Sequence, residues 1–404
     1  MSRVTAYTGE SMHATAALSD HIDTRTAALE VIEQLSNAAV TQPSHLLTVF
    51  ASFHHRAALA KACQDMQQAI GAETLIGCTA ESVIGSDVER EGRAGLAVLS
   101  ISMPGARVHP FSFLSDQEPI TAMTSGALQQ QLGVADDTRG VLLLGDPFTT
   151  RIDETINAIE SCRGDNASLP ICGGLASGAS RSGCNVLMNN EVETTHGCVG
   201  VSISGSVAID FVVSQGCRPI GTPLVVTKSR DHMVVELGGR PALEVVREIA
   251  ESLEEADRAL LSKGLFIGIV IDEYKPRFGR GDFLIRHIVS TDQHRQTITV
   301  AQALRPGQTV QLHVRDAQTA SEDLSLLLDQ QSLHGRPDAG LLFSCNGRGT
   351  RLFAEPDHDI TMLQSRLGNI PMAGFFAAGE IGPIGARSFV HGHTACAMLF
   401  REEE

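Results

Sequence analysis

The chain has 404 residues, 43% of them hydrophobic and 19% charged, with 38 glycines. That length suits two or three domains or one large composite, and the composition is that of an ordinary globular protein. A net charge of -16, with no run of lysine and arginine, excludes nucleic acid and anionic membrane as partners on electrostatic grounds.

In chain order, the first element is an amphipathic helix over Ile22–Leu35. A strand follows at Leu46–Phe50, then an Ala-rich helix at Arg56–Ile70. Leu75–Glu81 is a short apolar segment with glycine and alanine, and Gly95–Ser102 reads as a strand. The same order returns at Gly140–Gly145, an apolar run ending in the loop Asp146–Thr150. Asp153 is placed to cap a helix carrying Ile152, Ile156 and Ile159. Pro170–Gly178 and the strand Gly197–Ser204 complete this second copy.

The next region is of another kind. Val207–Ser214, Leu224–Thr227 and Met233–Leu237 read as short strands. Pro241 opens a helix with Leu243, Val246, Ile249, Leu253 and Leu260 on its buried face. Strands are expected at Leu265–Ile271, Phe283–Val289, Thr297–Ala303 and Val310–Val314, and Asp316 caps a helix carrying Leu324, Leu327 and Leu328. A third copy then closes the chain. It comprises the strand and loop Gly340–Thr350, a helix capped by Asp359, the segment Pro371–Gly379, and a poorer strand at Gly392–Phe400.

Apolar strands alternating with helices indicate an α/β fold (mixed α+β). The repeated strand-helix-strand-strand units are expected to form helix-covered mixed sheets, two of them packed as a composite sandwich. The halves are divided near Gly216, giving regions 1–216 and 217–404. With no tryptophan and 4% aromatics, the core rests on Leu, Val, Ile and Ala. The nine cysteines are odd in number and form no C-x-x-C, so reduced thiols and a cytoplasmic location are expected. Met1–Ala17 has no signal-peptide pattern, and no apolar stretch is long enough for a transmembrane helix.

Several segments resemble signatures of the FIST family. In the C-terminal half they are Gln215–Gly221, Glu236–Leu243, Arg280–Arg286, Val314–Ala317, Phe343–Gly349 and Gly374–Gly385. In the N-terminal half they are Gly77–Glu81 and Cys172–Gly178. The resemblance spans roughly residues 45 to 395 and identifies 1–216 as a FIST N-terminal region and 217–404 as a FIST C-terminal region. It implies a small-molecule-binding sensory module for signal transduction, with amino acids among the proposed ligands. Some bacterial members bind haem and respond to nitric oxide, and an animal branch joins the region to an F-box. The residues before the first unit hold one helix and no F-box pattern, so any signal is expected to pass to a separate protein.

The leading site candidate is the loop Cys345, Asn346, Gly347, Arg348 and Gly349, at the carboxyl end of a strand, where α/β sheets place ligands. Gly347 and Gly349 permit positive φ and close approach. Arg348 suits a ligand carboxylate in two-pronged fashion; the alternative is an internal ion pair. Glu380, in the Gly379–Gly382 segment, is costly there unless paired. It is free to meet a ligand ammonium, Arg348 or Arg387. Gly173, Gly174 and Ser177 offer backbone N–H groups to an anion, with tight packing as the alternative. A ligand held near these loops, between the halves, is the expectation. Cys345 as a nucleophile, with His391 or His393 as base and Glu380 as orienter, is the enzymatic alternative. His391 and His393 are also the haem candidates, although scarce aromatics make a haem pocket less inviting. No resident cofactor or metal is expected otherwise. Arg286, Arg315 and Asp316 are read as structural, with Arg286 paired to Asp282 or Asp272. A protein-binding adaptor is the remaining alternative.

Overall fold

The computed structural model describes residues 11–38, 43–114, 119–163 and 169–403. Unit one contains β1 (His13–Ser19), α1 (Thr24–Asn37), β2 (Leu46–Ser52), α2 (Leu59–Ile70) and β3 (Thr74–Ala80). A hairpin of β4 (Val83–Ile84) and β5 (Glu89–Arg90) and the strand β6 (Leu96–Ser102) end it. Unit two repeats the order with β7 (Ala106–Phe113), α3 (Ser125–Leu132), β8 (Thr138–Gly145), α4 (Ile152–Ser161) and β9 (Ile171–Leu175). Its hairpin is β10 (Leu187–Asn189) and β11 (Val192–Thr194), and its last strand is β12 (Cys198–Gly205).

Unit three starts with β13 (Val207–Gln215) and is then interrupted. The insert holds β14 (Cys217–Arg230), β15 (Met233–Leu237), β16 (Arg240–Pro241), α5 (Ala242–Ser252) and α6 (Glu255–Leu260). It continues through β17 (Leu265–Val270), β18 (Phe283–Asp292), β19 (Thr297–Val300) and β20 (Thr309–Arg315). The unit resumes with α7 (Ala317–Gln331), β21 (Ala339–Cys345), α8 (His358–Leu367) and β22 (Met372–Ala377). The hairpin β23 (Glu380–Ile384) and β24 (Arg387–His391) and the strand β25 (Thr394–Glu402) finish it.

Each unit builds one six-stranded mixed sheet around a single parallel pair: β2 with β3, β8 with β9, and β21 with β22. Each hairpin leaves its own unit. The hairpin β4–β5 joins the third sheet beside β22, β10–β11 joins the first beside β3, and β23–β24 joins the second beside β9. The exchange is cyclic and binds the three units into one body. The insert forms a separate seven-stranded sheet, antiparallel throughout.

The expected class therefore stands, with mixed sheets covered by helices, but the sandwich of two sheets is replaced by four sheets among the described residues. One core is shared by all three repeated sheets: Phe50, Ile76, Leu142, Val201, Phe343 and Phe375 meet in it. The helices cover the outer faces. Spacing explains their placement. In α2, Leu59, Ala62, Cys63 and Met66 recur on one face and are buried. The strands β2, β3 and β6 are buried at every residue, as central strands covered on both faces must be. No helix of the described residues is long and apolar enough to cross a membrane.

One glycine recurs in all three parallel pairs. A Cβ at Gly77, Gly173 or Gly374 would lie 2.2, 2.0 or 1.9 Å from the carbonyl oxygen of Val49, Leu143 or Leu342. These are register partners across the pair. Gly173→Ala is therefore expected to push β8 from β9 and cost about 1–3 kcal/mol by overpacking. A denaturation midpoint equal to wild type would show that the strands part without cost.

Some local expectations are corrected. Asp153 does not cap α4; it lies in the first turn, after the cap position Arg151. The helix opened by Pro241 stops at Ser252, because Leu253 is extended, and resumes as α6. Asp316 does cap α7, accepting from the backbone N–H of Gln318. Asp359 does not cap α8, whose cap position is Asp357, in a left-handed conformation. Arg286 pairs with neither Asp272 nor Asp282. It donates to Gln302 and to its own neighbour's carbonyl, and Lys275 takes Asp282.

Candidate functional site

The loop after β21 is held from three sides. Within unit three, Arg348 is fully buried and donates through Nε and Nη2 to the two carboxylate oxygens of Asp359, 2.7 Å each. Ser344 donates to the same carboxylate at 2.7 Å. Burial opposes ionisation of Asp359, but Arg348 outweighs it and holds the carboxyl well below its usual range. The two-pronged Arg348 thus finds an internal carboxylate, the ion-pair alternative of the sequence reading.

From unit one comes the hairpin β4–β5. Glu89 caps α8, its Oε1 accepting from the N–H groups of Asp359 and Ile360 at 3.1 Å. Glu91 accepts from the N–H and hydroxyl of Thr350, and Glu81 pairs with Arg351. From the insert, Arg315 donates to the carbonyl of Gly347. Arg315 makes no ion pair among the described residues.

Between these contacts sits a polar seam. Glu380 is fully buried beside the Cys345 thiol, with Oε2 accepting from the N–H of Thr394 at 3.1 Å. Burial pushes its carboxyl up to about 8, partly offset by that N–H and by Cys345. It makes no ion pair with Arg348, and Arg387 turns instead to Glu160 and Asn157. Five buried atoms along the seam have no hydrogen-bond partner: Arg348 Nη1, Glu380 Oε1, Asn346 Oδ1, His393 Nδ1 and Arg315 Nε. A Cβ on Gly347 would lie 3.1 Å from His393 Nδ1 and 3.5 Å from Arg315 Nη2, and one on Gly216 would lie 3.1 Å from Arg348 Nη1. Glycine at both places lets these groups close on one another. Cys345, Asn346, Gly347 and Arg315 are half-buried, so the seam reaches the surface.

The remaining candidates fall around it. Gly349 takes the expected positive φ of 56°, and a Cβ there would strike Glu91; Gly347 does not have positive φ. Gly174 and Gly382 are sites of close packing, against Ala377 and against Val213 and Cys396. Ser177 ties units together, donating to the carbonyl of Phe376 and accepting from the N–H of Glu81. Where the Gly-rich ends of the units meet, Gly173, Gly174, Gly382 and Ser177 are engaged in protein contacts.

The nucleophile arrangement is not assembled. Burial drives the Cys345 thiol upward, with Glu380 adding to the effect. His391 uses Nε2 on the carbonyl of Gly382 at 2.9 Å, and His393 turns Nε2 to His287 at 3.1 Å. Burial lowers them to about 4 and about 3. Nor do they share a strand face: His391 ends β24, and His393 lies in the following turn at φ 62°. Among the described residues, no three His, Cys, Asp or Glu side chains stand close enough to hold a metal ion.

Two family comparisons cover this architecture. Residues 45–240 match the FIST N domain, and residues 242–383 match the FIST C domain. The chain belongs to the FIST family. FIST domains are sensory, signal-transduction modules that bind small ligands. The FIST regions meet between 240 and 242, inside the insert and just before α5. Relatives include uncharacterized protein Mb0898c of Mycobacterium bovis, 38% identical over 384 residues, covering 94% of this chain and 97% of the relative. Uncharacterized protein MT0656 of Mycobacterium tuberculosis is 36% identical over 380 residues, with the same coverage. A cyanuric acid hydrolase from A. caulinodans aligns with 97% of this chain and 100% of its own at 9% identity and a TM-score of 0.37, too distant to bear on function. The FIST assignment agrees with the sequence signatures, several of which border the seam.

Sequence reasoning missed Arg315. Next to Asp316, it reads as part of a helix cap. Its lack of an ion pair among the described residues is a property of the packing, which brings it to Gly347.

Proposed function

We propose that this FIST protein senses a small zwitterionic ligand of the amino-acid class, bound at the seam between the third sheet and the insert. The observation that carries the reading is the meeting of unpartnered polar atoms from Asn346, Arg348, Glu380, His393 and Arg315. Buried polar atoms without partners are costly, and a ligand that supplies those partners recovers the cost. Arg315 and the Nη1 of Arg348 suit a carboxylate. Glu380 Oε1 and Asn346 Oδ1 suit an ammonium group. The signal has a route, because the segment after the ligand loop is gripped by Glu81 and Glu91 of unit one, and the helix it leads into is capped by Glu89. Binding would shift the equilibrium of that grip, and a separate protein would read it.

Titration calorimetry against amino acids, amines and organic acids tests this. Arg315→Ala should weaken binding by about tenfold to a hundredfold, the effect of losing a charged hydrogen bond. Amino-acid binding should also release a proton near neutral pH, because an ammonium group favours the ionised form of Glu380. If no amino acid binds, or Arg315→Ala binds it as tightly as wild type, the proposal fails.

A further inference from the structure

One cleft shares no lining residue with the polar seam. It runs along the join between the first and second sheets, under the end of α2. The hairpin β10–β11 and the edge strand β7 form its other walls. Its volume is about 820 Å³, within the range of small-molecule sites. The lining is unusual in kind. Gln64, Gln67, Gln68, Asn189 and Asn190 give it five carboxamides, and Ser112 adds a hydroxyl. No lysine or arginine lines it, and Glu191 is its only carboxylate. Pro110, Ala72 and Val192 supply apolar wall.

Asn189 makes this more than a surface groove. Its side chain is buried, and Nδ2 donates to the carbonyl of Phe111 at 2.7 Å, which fixes the orientation of the amide. The carbonyl oxygen Oδ1 is then left buried with no hydrogen-bond partner. The repeat provides a comparison. The equivalent join between the third and first sheets, under the end of α8, holds a cleft of about 750 Å³ lined by Ser86, Gln364 and Asn369. Gln67 and Gln364 play the same part, each donating to the backbone carbonyl after its helix, Ala72 or Ile370. None of the residues lining the α8 cleft carries a buried side-chain atom without a partner. The cleft is thus a product of the repeat, and the unpartnered amide is particular to the copy under α2.

We infer that the α2 cleft binds an uncharged polyhydroxylated ligand of the saccharide class. Carboxamides present donors and acceptors side by side, which match hydroxyl groups that are both. Anions would meet no cation, and the apolar wall suits the C–H faces of a sugar ring. The inference is independent of the proposed seam site.

Saturation-transfer NMR on the full chain, with glucose, galactose, N-acetylglucosamine, maltose and trehalose, tests it; spermidine and citrate serve as controls. At least one sugar should receive saturation. The double variant Gln64→Ala/Gln68→Ala should weaken its binding by about tenfold or more, as loss of two ordinary hydrogen bonds implies. Both glutamines are exposed on a helix and their side chains make no hydrogen bond among the described residues, so alanine there keeps the fold. Arg315→Ala should leave sugar binding unchanged. The inference is overturned if none of the sugars receives saturation, if binding survives the double variant, or if spermidine binds and the sugars do not.

Discussion

Asp359→Asn is expected to destabilise the protein by about 3–5 kcal/mol, the range for removing one member of a buried ion pair. The cost arises from what remains. Arg348 is fully buried, with Nε and Nη2 both committed to Asp359. Asparagine can accept from one of them and presents an N–H group to the other. The guanidinium cannot shed its charge to escape, since an arginine stays protonated in proteins. Ser344 shares its acceptor oxygen with Arg348 Nε, so an amide turned to serve Nη2 would leave both without one. Replacing both members by apolar side chains, Arg348→Met with Asp359→Leu, should cost less than the single change, because no charge is stranded. Urea unfolding followed by circular dichroism checks both. If Asp359→Asn does not fold, recovery in the double variant still reports the stranded charge. Equal midpoints for the single variant and wild type would show that the pair carries no stability.

That pair also ties the loop to two other elements. Arg348 in the loop and Asp359 at the start of α8 are locked together, and Glu89 from unit one caps the same helix. Movement of the loop therefore acts on a helix end and on a hairpin from another unit.

The repeat was readable because its signals are local. Gly140–Gly145 and Gly340–Cys345 are apolar runs of strand length, followed by helices with a period of their own. What joins the units was not readable. Val83–Ile84 and Glu89–Arg90 are strands of two residues with no periodicity, and their pairing with β22 depends on residues far along the chain. Asp359 looks like a helix cap because local pattern favours that use; its real partner, Arg348, precedes the helix on another element. The site was half legible for the same reason. Cys345–Gly349 and Glu380 follow strands and stand out by composition. His393 reaches them through the pairing of β25 with β21, and Arg315 only through the packing of the insert. At Gly173 and Gly174 the glycine pair leaves anion binding and tight packing both open, and only the fold shows the neighbouring carbonyl and packed core that require the missing side chains.

Stability is expected to fall as pH rises from the ordinary glutamate value of 4.5 toward about 8. Two buried carboxyls cause it. Burial and the nearby Asp359 carboxylate push Glu89 up to about 8, and burial pushes Glu380 to a similar value. In that window the folded protein keeps protons that the unfolded chain has already released. More protons are bound in the folded state, so raising the pH favours unfolding. Each group contributes on the order of a few kcal/mol across the window. Asp359 has the opposite sign, since its folded value is lowered, but its contribution is lost only as pH falls below the window. Glu89→Gln and Glu380→Gln remove the ionisation while retaining an oxygen to accept from Asp359, Ile360 and Thr394. Each variant should therefore match wild type near the acid end and exceed it at pH 8. The double variant should flatten the profile. Thermal midpoints at several pH values measure it, and an unchanged slope in the double variant would assign the pH dependence elsewhere. The same protonation bears on sensing: a neutral Glu380 leaves the seam without a counter-charge for an ammonium group. Ligand affinity should thus rise over the pH range in which the empty protein loses stability, and in Glu380→Gln that rise should disappear.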